Sequence, residues 1–126
     1  MSKQSFHFRI NLGTNQNGSF FIPISTNQAV KRIGFNFSYE IKADDNVAYI
    51  ITCENVNNEI VGLLNKFSRS AGGHVYTIEG LSGDNEIVSY YNNKLINGNL
   101  KFNYKQDING VTVDSCNILV LINLYF

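Results

Sequence analysis

This sequence of 126 residues has no Trp, one Pro and two Cys, and only 16% of its side chains are charged. Each scarcity excludes something. Cys53 and Cys116 lie too far apart in sequence to suggest a disulfide framework or a metal-ligand pair, so they read as small buried apolar groups in a reducing compartment. No stretch reaches the roughly 18 continuous apolar residues of a membrane-spanning helix. The start, "MSKQSFHFRINLGTNQ", is polar and alternating, without the apolar core of a secretion signal. Ten basic residues balance ten acidic ones, which gives no bulk attraction to nucleic acid or an anionic membrane. The length suits one domain spanning residues 1–126, able to bury a core without staples.

What is present is β-patterning. Apolar residues recur with period two in "SFHFRINL", which sets Phe6, Phe8, Ile10 and Leu12 on one face. "VKRIGFNFSYEIK" does the same with Ile33, Phe35, Phe37, Tyr39 and Ile41. "VAYIITC" is apolar on both faces and is expected to be deeply covered. "SFFIPI", "HVYTIEG", "EIVSYY" and "NLKFNYK" read as further strands, and Pro23 assigns the first of these to an edge or a bulge. Only "NNEIVGLLNKF" spaces its apolar residues as a helical turn would, at Ile60, Leu63, Leu64 and Phe67, although Gly62 weakens it. Asn109-Gly110 is a favoured hairpin pair and is expected to join "NLKFNYK" to the last strand. Turn signals every ten residues or so predict an all-β antiparallel sandwich, a single jelly roll of about eight strands. An immunoglobulin-like sandwich is the runner-up, disfavoured because no Trp stands between the two cysteines.

Catalytic signals are missing. His7 and His74 have no partners at ligand spacing, and the acidic turns "KADDN", "SGDNE" and "KQDING" lack the order of a calcium loop. No Ser has a nucleophile-elbow setting, there is no phosphate loop, and both thiols fall inside apolar strands, where they are unreactive. Lys31-Arg32 is the only basic cluster, and the nearby Phe35 and Phe37 face away from Arg32. The expectation is therefore a non-enzymatic structural or binding protein without catalytic residue, cofactor or metal.

The last stretch, "NILVLINLYF", is apolar on both faces. Ile118, Val120, Ile122 and Leu124 are expected to fill the core. Leu119, Leu121 and Tyr125 face the other way and are the candidate interface residues, because one sandwich has only one interior.

The stretches "AYIITCENVNNEIVGLLNKF", "HVYTIEGLSG", "IVSYYNNKLINGNLKFNYKQDINGVTVD" and "NILVLINLYF" together resemble single jelly-roll minor capsid and penton-like proteins of polinton-like viruses, virophages and large DNA viruses. Tyr49, Cys53, Val56, Ile60-Val61-Gly62, Gly80, Tyr90-Tyr91, Leu100-Lys101-Phe102, Asp107, Gly110 and Val113 occupy the recurring positions of that pattern. The resemblance implies a virion protein made in the host cytoplasm. It implies a homo-oligomer, pentameric at vertices or cementing between capsomers, in contact with other capsid proteins. The alternative is a jelly-roll binding module, lectin-like or TNF-like, recognising a glycan or a protein.

Overall fold

The computed structural model describes residues 2–43, 45–66, 75–81, 86–107 and 110–126, with backbone alone for 65–66 and 75–81. Nine strands follow one another: β1 (Lys3–Asn11), β2 (Asn17–Ile22), β3 (Val30–Ala43), β4 (Val47–Cys53), β5 (Glu59–Lys66), β6 (Val75–Leu81), β7 (Ile87–Lys94), β8 (Leu100–Gln106) and β9 (Val113–Tyr125). A short 3-10 turn, Glu54–Val56, stands between β4 and β5. Among the described residues no helix is long and apolar enough to cross a membrane, which says nothing of a β-barrel.

The strands form two antiparallel sheets. The first has the order β1-β9-β3-β6, with β7 also on β3; the second has the order β2-β8-β4-β5. β7 pairs with the first half of β3, from Val30 to Phe35, and β6 with the second half, from Phe37 to Ala43. Both lie on the edge of β3 away from β9, so they share one strand position. Nine strands thus fill eight places, four per sheet, and the chain repeatedly crosses from one sheet to the other. This is a jelly roll.

The inward rows follow the period-two pattern. Ile33, Phe35, Phe37, Tyr39 and Ile41 of β3 are buried, as are Ile118, Val120, Ile122 and Leu124 of β9. Phe102 of β8 stands between the sheets, stacked on Phe20 at 4.9 Å and meeting Phe35 edge-on at 5.8 Å. Cys53 and Cys116 are both buried and unlinked, one in each sheet. Burial pushes their thiols up to about 11 and about 12 respectively. β2 is an edge strand and stops at Ile22, so Pro23 ends the ladder rather than interrupting it.

Three expectations need correction. The stretch expected to turn helically is β5, paired with β4. Opposite Ile51–Thr52 the register skips Val61, a bulge that brings Val61, Gly62 and Leu64 inward and leaves Ile60 and Leu63 outward. An extra residue converts period two into spacings of three, which imitate a helix. Gly62 is required there because a Cβ would stand 2.6 Å from the Phe37 ring. β4 is fully buried on one face only, since Ala48, Ile50 and Thr52 are half-buried. Finally, Asn109-Gly110 does not close a hairpin. Residues 108–109 lie outside the described ones, but β8 and β9 belong to different sheets, so the connection is a crossing. Buried Gln106 fastens it: its amide donates to Val111 O at 2.8 Å, and its Oε1 accepts from Val111 N at 3.1 Å.

Candidate functional site

β9 is an inner strand, held between β1 and β3 along nearly its whole length. Its outward row is therefore the middle of a sheet face. Register fixes what flanks each residue. Tyr125 lies between Lys3 and Arg32, Asn123 between Ser5 and Gly34, Leu121 between His7 and Asn36, and Leu119 between Arg9 and Ser38. Leu119, Leu121 and Tyr125 do share this face, and all three are half-buried by those neighbours. Leu121 forms the floor of one shallow depression and Leu119 lines another.

The face is less bare than its apolar sequence suggests. Asn123, 6% exposed, is the centre of a hydrogen-bonded chain. Ser5 Oγ donates to Asn123 Oδ1 at 2.6 Å, and Asn123 Nδ2 donates to Glu86 Oε2. Tyr125 donates its hydroxyl to Glu86 Oε1 at 2.7 Å. That bond holds the phenol above its ordinary range, because ionising it would place a second negative charge against the carboxylate. Arg32 lies 5.5 Å over the Tyr125 ring. The carboxylate of Glu86 occupies the space above Gly34, where a Cβ would stand 2.4 Å from Glu86 Cδ. Beyond it, Val88 and Tyr90 of β7 continue the same face, exposed at 45% and 67%.

Asn123, Glu86 and Gly34 were missed from sequence. Asn123 interrupts an apolar run, and Gly34 breaks the strongest amphipathic strand; either is a signal of a close approach. Their partner, Glu86, could not be read from spacing. His7 is exposed on β1, whereas His74 lies outside the described residues. Among the described residues, no three His, Cys, Asp or Glu side chains are placed to hold a metal ion.

Both thiols are buried, with pKa values raised by burial, which keeps them as unreactive thiols. What the arrangement offers is a sheet face whose central strand sets half-buried Leu119 and Leu121 beside the hydrogen-bonded Asn123 and Tyr125.

No family model matches the chain, and no curated protein matches it. Among solved structures it is similar to infectious bursal disease virus Gx strain, at 10% identity over 98% of this chain and 32% of that one, with a TM-score of 0.41. The infectious bursal disease virus VP2 subviral particle is 12% identical over 97% of this chain and 33% of that one, with a TM-score of 0.36. Desmodium yellow mottle tymovirus is 11% identical over 98% of this chain and 86% of that one, with a TM-score of 0.25. The chain spans about a third of the length of the two bursal-virus chains.

Proposed function

We propose that this chain is a non-enzymatic structural protein of a virion shell, a minor capsid or penton protein that associates with copies of itself and with other capsid proteins. In this reading residues 1–126 act as one jelly-roll unit. The observation that carries it is the outward row of β9: Leu119, Leu121 and Tyr125 stand half-buried in the centre of a sheet face. Apolar groups at such a place gain stability when a second surface covers them, at about 25 cal/mol for each Å² removed from water. The resemblance of residues 48–67, 74–83 and 87–114 and of the last strand to single jelly-roll capsid proteins gives that contact its biological setting.

The test separates the two faces of β9. Leu121→Lys puts a charge at the proposed contact and is expected to leave a folded subunit that no longer assembles, alone or with a candidate major capsid protein. Val120→Lys, on the fully buried row, is expected to unfold the subunit. Sedimentation velocity and circular dichroism on both variants and the parent decide the matter. Leu121→Lys sedimenting as the parent assembly does would overturn the proposed contact. A clean glycan-array hit from a parent that stays monomeric would transfer the function to the lectin-like alternative.

A further inference from the structure

The two long sides of the sandwich are built differently. On one side β5 packs directly against β6 and β7, and Ser89 Oγ reaches across to Glu59 Oε2 at 3.0 Å. On the other side the edge strands are β1 and β2, and β1 rests chiefly on β9. The inward row of β1, Phe6, Phe8 and Ile10, is consequently only half-buried, as is Phe126 beside it. The Phe6 and Phe8 rings stack on each other at 6.4 Å.

β1 is also an unblunted edge. It pairs with β9 from Lys3 to Asn11 without a register shift, contains no Pro, and among the described residues pairs with no other strand. Every second backbone N–H and C=O of such a strand points away from its partner and is available to a further one. Its outward row carries Lys3 and Arg9 and no acidic residue. Both cations are exposed, and six residues of strand set them about 20 Å apart.

We infer that the free edge of β1 binds an extended segment of a partner protein, in which apolar and carboxylate side chains alternate. The reasoning follows the pleat. An added strand continues the sheet, so alternate side chains fall on its two faces. Those on the inner face cover Phe6, Phe8 and Ile10 and close the open side of the sandwich. Those on the outer face stand beside Lys3 and Arg9, where carboxylates are favoured. A second copy of β1 fits less well, because it brings the same two cations to an edge that already carries them. The backbone edge and the inward row of β1 are distinct from the outward row of β9, although Lys3 and Arg9 flank Tyr125 and Leu119 on the outer face, so the two contacts are told apart by where protection appears.

A fluorescein-labelled, end-blocked peptide of four Val-Glu repeats is the probe, with four Val-Lys repeats as its counterpart. Anisotropy titrations of the full chain should show the Val-Glu peptide binding at least tenfold more tightly, with affinity falling as salt is added. Hydrogen exchange read by mass spectrometry should show new protection confined to residues 3–11. The double variant Lys3→Glu, Arg9→Glu should reverse the preference between the peptides, which loss of folding could not do. Leu121→Lys, which adds a cation beside His7 of β1, should keep or strengthen the preference for the Val-Glu peptide even where it abolishes assembly, so the two losses stay distinguishable. Equal binding of both peptides, no binding of either, or protection at β2 or β5 instead would overturn the inference. Protection of residues 3–11 that grows with protein concentration alone would overturn it in favour of a second copy.

Discussion

The two sheets carry the same hydrogen-bonded chain of side chains on their outer faces. In the sheet of β1 and β9 it runs from Ser5 to Asn123 to Glu86. In the sheet of β2 and β8 it runs from Ser19 Oγ to Asn103 Oδ1 at 2.6 Å, and from Asn103 Nδ2 to Glu54 Oε2 at 2.9 Å. Each begins as a cross-strand Ser–Asn pair and ends on a carboxylate brought from elsewhere in the chain. Their surroundings differ. Glu86 lies over a glycine, takes a second bond from a tyrosine, and covers a buried Asn. Glu54 is exposed and pairs with Lys101 at 3.0 Å in open solvent. Identical donors and acceptors should therefore contribute unequally, because water replaces a lost partner in one place and not in the other.

The largest effects are expected at alkaline pH, from the one thiol that each sheet buries. Both thiols have folded pKa values raised above the ordinary 9. The unfolded chain therefore releases these protons first, and stability falls as pH rises. Each thiol's contribution is complete below pH 9 and lost progressively up to its folded value, about 11 for Cys53 and about 12 for Cys116. The slope is about 1.4 kcal/mol per pH unit for each thiol. In urea unfolding across this range, Cys53→Ala should flatten the fall only to about pH 11, and Cys116→Ala to about pH 12. Identical flattening by the two variants would show that the sheets desolvate their thiols equally.

Next in size is the Asn at the centre of each chain. Asn123→Ala removes one of the two donors to Glu86 and the acceptor of the Ser5 hydroxyl from a buried position and should cost about 1–2 kcal/mol. Asn103→Ala, half-exposed, should cost less than about 0.5 kcal/mol. Gly34→Ala adds a sharper form of the same test, since its Cβ must displace Glu86. It should destabilise the parent by about 1–2 kcal/mol and have little further effect once Glu86 is Ala, a non-additivity of the kind expected for groups in contact. Strict additivity would mean that Gly34 and Glu86 do not share their space.

The smallest effect belongs to Glu54. Its carboxyl is held below the ordinary range by hydrogen bonds from Asn103 and Lys101. That contribution is present above pH 4.5 and is lost as pH falls through the lowered folded value. Glu54→Gln should change the thermal midpoint at neutral pH by no more than replicate scatter, and any difference should vanish in 1 M salt, which screens an exposed pair. A large, salt-resistant loss would place the second chain on the same footing as the first.

The strands and their inward faces were legible because a strand facing one core writes its burial at every second residue. Ile33 to Ile41 and Ile118 to Leu124 needed nothing more. The reading failed where parity was broken or where distance mattered. At Val61 a bulge shifts the parity and imitates a helical turn. At Asn109-Gly110 a pair suited to a tight turn stands in a crossing between sheets, and only the location of β8 and β9 in different sheets reveals it. The outward row of β9 was recognised as apolar, but its polar centre at Asn123 was not.

Alone, the sequence determined where most strands form and which side of each faces inward, β5 with its bulge excepted, since both follow from local alternation and from the cost of leaving apolar rows in water. Tertiary structure alone decided which strands became neighbours. It set Ser5 against Asn123, 118 positions away, and placed the Glu86 carboxylate in the space Gly34 leaves empty. It also left one side of the sandwich open along β1 while tying the other through Ser89 and Glu59. These depend on register between distant strands and on the volume of single side chains, and no local period records either.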